Sequence, residues 1–430
     1  MKKVAVIGAG ISGAACSRLL RSSGHEVVVF EAGTSIGGLV QCTTEKGNLF
    51  HRVGGHVFNA KQKSVSDWFW AHFDQEDEFL FSRRNAAIFM GDRFVGYPIE
   101  NHIYQLEDAD AAKIISELLE ILKLKESQES QHTINASFKD FLLNTFGRTL
   151  CDAYFLPYNN KIWRLDLSTM PIEWLDGKLP MPRVEDIISS NILRQEETEM
   201  VHSQFYYPKE GGSQFTIERL MEDIDVRLDS NIDSINLDGE ITVLGERFDA
   251  IVYTGDVRKI ASLIGSDDTR LTDLSEFRSN GTTTALCSCD PNPYSWVYLP
   301  EDSLKCHRII MTGNFAPSNN SKSLGEDRIS CTVEFVGQET KEGVLEAISR
   351  LPFNLELIEI NYEPNSYVIQ SNHSRERVNE AKRILADHNI WLCGRFAEWE
   401  YYNMDAAIAA AMQTGHSVDP ALGKKNGKQQ

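Results

Sequence analysis

The sequence predicts an α/β fold, in which a Rossmann-like nucleotide-binding domain carries a helical insertion domain and an antiparallel β-sheet domain. Three observations predict it. A G-x-G-x-x-G loop stands between an apolar strand and a helix near the N-terminus. Helical spacing of apolar residues dominates the region 108–205, and strand-like alternation dominates the region 282–370. A length of 430 residues is enough for two or three domains.

The first forty residues predict the nucleotide site. An apolar strand, Val4–Ile7, is followed by the glycine loop 8–13 and by a helix over 14–23. Such a loop lets the backbone turn sharply and brings amides at the helix N-terminus against a pyrophosphate. A second strand ends in Glu31, about 20 residues further on, where this fingerprint places an acid for a ribose hydroxyl. The segment 32–38, with its second glycine pair, resembles FAD proteins of the glutathione-reductase kind, so we predict FAD rather than NAD.

Composition excludes several classes of protein. The chain has 43 basic and 62 acidic residues, a net charge of -19, which argues against binding nucleic acid or an anionic membrane surface. No apolar run is long enough to cross a bilayer, and no signal peptide precedes the strand at Val4, so we expect a cytoplasmic protein without membrane insertion. Eight cysteines lack metal or redox spacing and are expected to be reduced, buried thiols.

The remaining pattern predicts the elements in order. An extended segment over 50–58, a helix over 65–73 and a hairpin over 86–94 precede helices over 111–124, 138–146 and 174–193, the last broken at Pro180 and Pro182. Short strands at 226–228, 235–237, 241–244 and 250–254 are expected to complete the nucleotide-binding sheet. We therefore divide the chain into an FAD-binding domain (1–80, 205–280, 376–423), a helical substrate or lid domain (103–204), a β-sheet domain (81–102, 281–375) and a disordered tail (424–430).

Four segments are unusually aromatic and polar for connecting loops: 97–102, 155–163, 307–311 and 394–405. Tyr, Trp and Asn side chains can stack on a base and hydrogen-bond it, and Arg pairs well with phosphate oxygens. Each segment also has a purely structural interpretation. In particular, an arginine at a strand end, such as Arg308, is commonly part of a surface ion pair.

In combination these segments resemble the flavin-dependent UDP-galactopyranose mutases. The resemblance rests on Gly54–Phe58, on the loop 97–102, on the pattern Tyr-x-x-Lys-x-Trp at 158–163, and most specifically on Gly394–Met404. It extends from residue 4 to about residue 412. It implies an isomerase that interconverts pyranose and furanose forms of a nucleotide sugar, of the kind that supplies galactofuranose to cell-surface polysaccharide.

The resemblance also implies the mechanism and the partners. Reduced FAD is the active form: its N5 atom attacks the anomeric carbon, displaces the nucleoside diphosphate and forms a flavin–sugar adduct. The partners are then a nucleotide-diphosphate sugar and an external reductant, with no metal, and a homodimer is left open.

The resemblance and the glycine fingerprint together imply the site residues. The catalytic set is His56, Arg308, Lys178, Tyr401 and Asn403. The substrate-binding set is Tyr97, Ile99, Glu100, Asn101, Tyr158, Asn159, Trp163 and Tyr367. The cofactor-binding set is Gly8, Gly10, Ser12, Gly13, Glu31, Gly37, Gly38, Leu39, Gly55, His56, Val226, Thr254, Gly394, Arg395, Asn403, Met404 and Asp405.

Two positions depart from the family pattern. Lys178 stands where the family has a second diphosphate arginine, and Arg183 is the alternative candidate for that role. Glu100 stands where an amide is expected to face uracil, so the sequence leaves the base open. Two other functions also remain: an FAD oxidase or desaturase of the amine-oxidase kind, and a flavoprotein that binds a nucleotide sugar without turnover.

Overall fold

The computed structural model describes residues 1–126, 137–172, 175, 182–194 and 203–424. Its strands are Lys3–Ile7 (β1), Glu26–Phe30 (β2), Cys42–Glu45 (β3), Asn48–His51 (β4), Phe79–Arg83 (β5), Ala86–Met90 (β6), Arg93–Gly96 (β7), Gln204–Pro208 (β8), Asp225–Arg227 (β9), Ile235–Asn236 (β10), Ile241–Val243 (β11), Glu246–Phe248 (β12), Ala250–Tyr253 (β13), Ser279–Cys289 (β14), Trp296–Tyr298 (β15), Cys306–Ile310 (β16), Ile329–Val336 (β17), Glu356–Val368 (β18) and Ile390–Leu392 (β19).

The α-helices are Ile11–Ser22 (α1), Lys63–Trp70 (α2), Asp108–Glu126 (α3), Phe138–Phe146 (α4), Arg148–Leu150 (α5), Leu156–Trp163 (α6), Val184–Leu193 (α7), Gly212–Met221 (α8), Ile260–Leu263 (α9), Thr269–Thr272 (α10), Lys341–Ile348 (α11), Ser374–Asp387 (α12) and Met404–Lys424 (α13). A π-helical segment, Cys151–Phe155, joins α5 to α6. None of the helices so described is long and apolar enough to cross a membrane.

A five-stranded parallel sheet in the order β19-β13-β1-β2-β9 carries the nucleotide-binding fold. Its strands are apolar on both faces because helices cover both sides. In β1, Val4 and Val6 join a core shared with α1, α8 and α13, while Ala5 and Ile7 join a core shared with α9 and α12. The predicted Rossmann-like α/β fold is confirmed.

The short strands between β9 and β13 contradict the prediction that all strands of this region complete the nucleotide-binding sheet. Only β9 and β13 enter the parallel sheet, whereas β10, β11 and β12 form a separate three-stranded antiparallel sheet. The turn from β11 to β12 consists of Leu244 and Gly245, both with positive φ (48° and 77°). A two-residue turn of this kind joins antiparallel neighbours and leaves no crossover for a parallel strand.

The second large sheet has seven strands in the order β18-β14-β17-β16-β15-β6-β7. It is antiparallel except at β15 and β6, which pair in parallel. The predicted hairpin is present as β6 and β7, and its turn residues Gly91 and Asp92 both have positive φ. One face of the sheet packs against α11, and the other faces the helical region, which consists of α3 to α7.

The helical region includes a segment that the sequence predicted as a loop. Residues 156–163 form α6, which has a proline in its first turn and ends at Arg164 in the left-handed conformation. The aromatic residues of that segment therefore lie on a helix.

The charged stretch 123–131 is predicted from the sequence to be a solvated connection, but residues 123–126 belong to α3, and the rest lie outside the described residues. The predicted break at Pro180 also lies outside them, whereas Pro182 is described and precedes α7, which begins at Val184. Of the predicted tail, Lys424 belongs to α13, and residues 425–430 lie outside the described residues. The domain boundaries remain a prediction.

Candidate functional site

A cavity of about 560 Å³ lies at the carboxyl ends of β1, β2 and β13 and against the N-terminus of α1. Ligands of open α/β sheets bind at this edge, where the strand order reverses and helix amides point outward. The predicted cofactor residues that line it are Gly8, Gly10, Ser12, Glu31, Gly37, Gly38, Leu39, His56, Thr254, Arg395, Asn403 and Met404.

The glycine loop is shaped by close backbone contacts. Gly8 has φ +104°, and a Cβ atom at Gly13 would overlap the carbonyl oxygen of Gly8. Gly13 therefore allows α1 to pack against β1 and does not line the cavity. The carboxylate of Glu31 accepts hydrogen bonds from the amides of Ala9 and Gly33, each at 2.8 Å. Glu31 thus fixes the loop while it also faces the cavity.

Four other predicted cofactor residues do not line this cavity. Val226 packs its side chain into the core beside α1, and Asp405 lies in the first turn of α13, where burial raises the pKa of its carboxyl. Gly394, with φ +100°, leaves room for the hydroxyl of Ser12. Gly55 lines a second cavity instead.

The sequence prediction missed a set of lining residues that follow the ends of β9 and β13, namely Ser230, Asn231, Ile232, Asp233, Lys259, Ser262 and Leu263. The sequence carried one signal that could have identified these residues, because they follow strands that were predicted to belong to the nucleotide-binding sheet.

The second cavity, of about 370 Å³, lies between the helical region and the seven-stranded sheet. The predicted residues that line it are His56, Tyr97, Glu100, Tyr158, Asn159, Trp163, Arg308, Tyr367, Arg395, Tyr401 and Asn403. Ile99 does not line it, because its side chain is fully buried in the core of the helical region. Asn101 is also not among the lining residues. Lys178 lies outside the described residues.

His56, Arg395, Asn403 and Met404 line both cavities. Burial and the neighbouring Arg395 lower the pKa of His56 to about 4, so its imidazole is neutral at physiological pH. The Nε2 atom of His56 is buried and has no hydrogen-bond partner among the described residues. Arg395 donates to the carbonyl oxygens of Tyr402 and Ser366, each at 3.0 Å. A molecule in one cavity would therefore meet a molecule in the other at this shared wall.

Arg308 lies in the middle of β16 and is not at a strand edge. Tyr298, Arg308 and Glu334 are direct cross-strand neighbours on β15, β16 and β17, so their side chains share the face toward the cavity. The guanidinium forms an ion pair with Glu334, which is 1% exposed, and donates to the Tyr367 hydroxyl at 3.4 Å. Burial alone would raise the pKa of Glu334, but Arg308 and His307 hold it well below its usual range. Arg308 therefore does not form a surface ion pair, and its ion pair with Glu334 is mostly buried.

Helix α6 positions three predicted residues. Trp163 donates through its ring nitrogen to Asn159 at 3.3 Å, and Asn159 donates to the carbonyl oxygen of Phe155 at 2.8 Å. Lys161 donates to three carbonyl oxygens, at 2.7 Å (Leu299), 2.7 Å (Glu301) and 3.2 Å (Cys306). Burial lowers the pKa of Lys161 to about 8. Lys161 therefore ties α6 to the connection between β15 and β16, so the sheet and the helix are held together at the cavity.

The sequence prediction also missed Arg84, Trp296, Tyr298 and Glu334, which line the second cavity. Arg84 directly follows β5, and nothing in its local sequence marks it. Its position becomes apparent only when β15 pairs with β6. Arg183, the alternative to Lys178, is exposed, pairs with Asp186 at 2.7 Å and does not line the cavity.

All eight cysteines are buried free thiols, as the sequence predicted. Within the described part of the chain, no group of three or more His, Cys, Asp or Glu side chains is arranged to hold a metal ion.

The chain resembles known proteins both in its sequence and in its fold. Residues 6–73 match the model of an NAD(P)-binding Rossmann-like domain. A probable UDP-galactopyranose mutase of Klebsiella pneumoniae is 26% identical over 183 residues, which are 42% of this chain and 45% of that protein. A 4,4'-diapophytoene desaturase of Staphylococcus aureus (strain COL) is 23% identical over 300 residues, 62% of this chain and 55% of that protein. These matches span about half the length of both relatives.

A crystal structure of reduced UDP-galactopyranose mutase superposes with a TM-score of 0.85 at 19% identity, covering 98% of this chain and 94% of that chain. The chain therefore has a Rossmann-like nucleotide-binding domain. Beyond that domain it shares its whole fold with UDP-galactopyranose mutase. The resemblance drawn from the sequence is confirmed at the level of the fold.

Proposed function

We propose that this chain is an FAD-dependent nucleotide-sugar mutase that interconverts pyranose and furanose forms, of the UDP-galactopyranose to UDP-galactofuranose type. The observation that carries the proposal is the wall shared by the two cavities, built from His56, Arg395, Asn403 and Met404. On one side lies a glycine loop suited to a dinucleotide. On the other side lie Arg308 and several tyrosines, suited to a diphosphate and a sugar.

The residues of the first cavity fit FAD. The glycine loop and the N-terminus of α1 suit a pyrophosphate, and Glu31 keeps further acceptor capacity for a ribose hydroxyl beside its two backbone bonds. When bound in reduced form, the flavin supplies a nucleophile for covalent catalysis at the anomeric carbon. His56 and Arg395 would border the reacting end of the cofactor and keep it apart from water.

The residues of the second cavity fit the substrate. Arg308 is proposed to bind the diphosphate, with the hydroxyl of Tyr367 at its side. Tyr367 and Tyr401 are stacked with ring centroids 5.8 Å apart, and both meet the ring of Trp163 edge to face. These rings exclude water and orient the sugar, which is the protein's contribution to a reaction whose chemistry belongs to the cofactor.

An oxidase or desaturase is the second candidate, because the Staphylococcus aureus relative is a desaturase. Such an enzyme needs an apolar tunnel. The second cavity instead has Arg84, Arg308, Arg395 and Glu334 in its wall, which favours an anionic, polar substrate.

Product analysis tests the proposed function. Protein whose flavin has been reduced with dithionite or NAD(P)H is expected to convert UDP-galactopyranose and UDP-galactofuranose into each other, without net redox change. Oxidised protein is expected to be inactive. Equal turnover by fully oxidised protein would contradict the proposal, and an oxidase or desaturase would reveal itself by bleaching oxidised flavin when its own substrate is added.

Thermal shifts with UDP-, GDP-, CDP- and dTDP-sugars would identify the nucleotide, because a bound ligand stabilises the folded state.

Glu100 is expected to direct the choice of base. Its side chain is 8% exposed and belongs to the cavity wall. An ionised carboxylate only accepts hydrogen bonds, so it disfavours a carbonyl edge and favours the N–H edge of guanine or the amino group of cytosine. Affinities for UDP, GDP and CDP, measured by calorimetry, are expected to shift toward UDP in Glu100→Gln. An unchanged ranking would mean that Glu100 is neutralised by a neighbour and does not contact the base.

A further inference from the structure

Strand β18 passes from the first cavity to the second within a few residues. Glu363 and Asn365 line the first cavity, whereas Ser366 and Tyr367 line the second. The carbonyl oxygen of Ser366 accepts a hydrogen bond from Arg395 at 3.0 Å, and Arg395 belongs to the wall shared by both cavities. Glu363 therefore lies near the end of the first cavity that this wall closes.

A bulge in β18 gives Glu363 its position. The pairing of β18 with β14 shifts register here, so that residues 364–366 stand opposite Gly281 alone. A bulge bends its strand and re-aims the side chains beside it. The two strands approach so closely that a Cβ atom at Gly281 would lie 2.7 Å from the carbonyl oxygen of Glu363. The placement of Glu363 thus follows from strand pairing, and no local motif marks it.

The carboxylate of Glu363 has the same local arrangement as that of Glu31. The Oε1 atom of Glu31 accepts a hydrogen bond from the amide of Gly33 at 2.8 Å. The Oε1 atom of Glu363 accepts one from the amide of Asn365 at 3.0 Å, again two residues further along the chain. Both glutamates line the first cavity. Each carboxylate is thus fixed by its own backbone and can still accept hydrogen bonds from a ligand.

The two carboxylates lie on opposite sides of the glycine loop. In the parallel sheet, β1 stands between β2 and β13. Glu31 directly follows β2, whereas Arg258, in the segment after β13, donates to the side-chain oxygen of Asn365 in the bulge at 2.6 Å. A dinucleotide whose pyrophosphate lies on the glycine loop would therefore have one half beside Glu31 and the other half beside Glu363.

The Glu363 carboxylate has an oxygen left for a ligand. Within the part of the chain that the structure describes, this carboxylate accepts a hydrogen bond only from Asn365 and forms no ion pair. Burial raises the pKa of the carboxyl, and the Asn365 amide and the charge of Arg52 offset that effect only in part. A half-buried carboxylate is stabilised by further hydrogen bonds from hydroxyl or N–H groups. A ligand with hydroxyl groups at this end of the cavity would supply them.

We propose that Glu363 binds the ribityl hydroxyl groups of FAD, as Glu31 is suited to bind the ribose of its adenosine. The ribityl chain joins the pyrophosphate to the flavin and carries several hydroxyl groups, which are hydrogen-bond donors. This inference rests on the FAD binding that the proposed function includes, and it does not require mutase activity.

Equilibrium titration of the full-length apoprotein with FAD and with ADP tests the proposal in wild type, Glu363→Met and Glu359→Met. Methionine is similar in length to glutamate but is only a weak acceptor. Glu363→Met is expected to bind FAD about tenfold to hundredfold more weakly, as is typical for the loss of a charged hydrogen bond. Its affinity for ADP is expected to match that of the wild type, because ADP has no ribityl chain.

Glu359 supplies the matched control. It lies on the same strand, is exposed and does not line the cavity, so Glu359→Met removes the same charge without touching the site. This variant is expected to bind both ligands as the wild type does. Glu31→Met is expected to bind both ligands more weakly, because FAD and ADP share the adenosine half.

An unchanged ADP affinity shows that a Glu363 variant is folded around the glycine loop. If Glu363→Met does not fold, Glu363→Gln takes its place and is expected to show a smaller loss of FAD affinity, again with ADP binding unchanged. Unchanged FAD affinity in a folded Glu363→Met variant would overturn the proposal, and so would an equal loss of affinity for FAD and ADP. A wild-type protein that binds no FAD would overturn the proposed function as well. A wild-type protein that binds FAD but has no mutase activity would overturn the proposed function and leave this inference standing.

Discussion

Replacement of Arg308 by Ala is expected to lower kcat/KM by about thirtyfold to nearly a thousandfold, equivalent to about 2–4 kcal/mol of lost stabilisation. The reason is that the guanidinium is proposed to pair with the substrate's diphosphate, and no neighbour on β16 can replace it. Steady-state kinetics with the reduced protein would measure the effect.

The ion pair with Glu334 requires a control for that experiment. Loss of one partner leaves a buried carboxylate without its counter-charge, which commonly costs about 3–5 kcal/mol of stability. The double variant Arg308→Gln with Glu334→Gln removes both charges and should restore much of the stability, as measured by thermal unfolding. It should remain impaired in catalysis, because the phosphate still lacks its cation. Recovery of wild-type kcat/KM in the double variant would show that Arg308 is only a structural ion pair.

Lys178→Ala is expected to lose most of the activity. The family resemblance implies a second diphosphate cation at this position, and a lysine can neutralise a phosphate, although it cannot fork across two oxygens. Lys178→Arg is therefore expected to keep or raise the activity. Turnover measurements on the three proteins, at saturating and limiting substrate, would separate a binding defect from a catalytic one.

Arg183→Ala is the matched control for Lys178→Ala. Arg183 is exposed and already paired with Asp186 at 2.7 Å, so its loss is expected to be nearly silent. The reverse pattern would assign the second cation to Arg183. Silence from both variants would mean that neither supplies it, and would count against mutase activity.

Sequence reasoning succeeded where the signal is local. The glycine loop and Glu31 belong to one strand–helix–strand unit, so their spacing alone places them at one edge of a sheet. It failed where the position of a residue depends on contacts between elements that are distant in the sequence. Residues 156–163 look like a polar loop in sequence, yet they form α6, whose Lys161 and Tyr158 contact Cys306 and Tyr298 on the seven-stranded sheet. Arg84 and Glu334 could not be found, because only the pairing of distant strands brings them to the cavity.

Strand β1 pairs on one side with a strand that is close in the sequence and on the other side with a strand that is very distant in the sequence. β1 pairs with β2 within thirty residues, but on its other side it pairs with Ala250–Tyr253, which in turn pairs with Ile390–Leu392. During synthesis the glycine loop therefore emerges from the ribosome long before the strands and the Gly394 turn that enclose its cavity. Contacts of such large sequence separation form slowly. The cofactor site is thus among the last parts of the chain to become competent, and nascent protein passes most of its synthesis unable to hold the nucleotide.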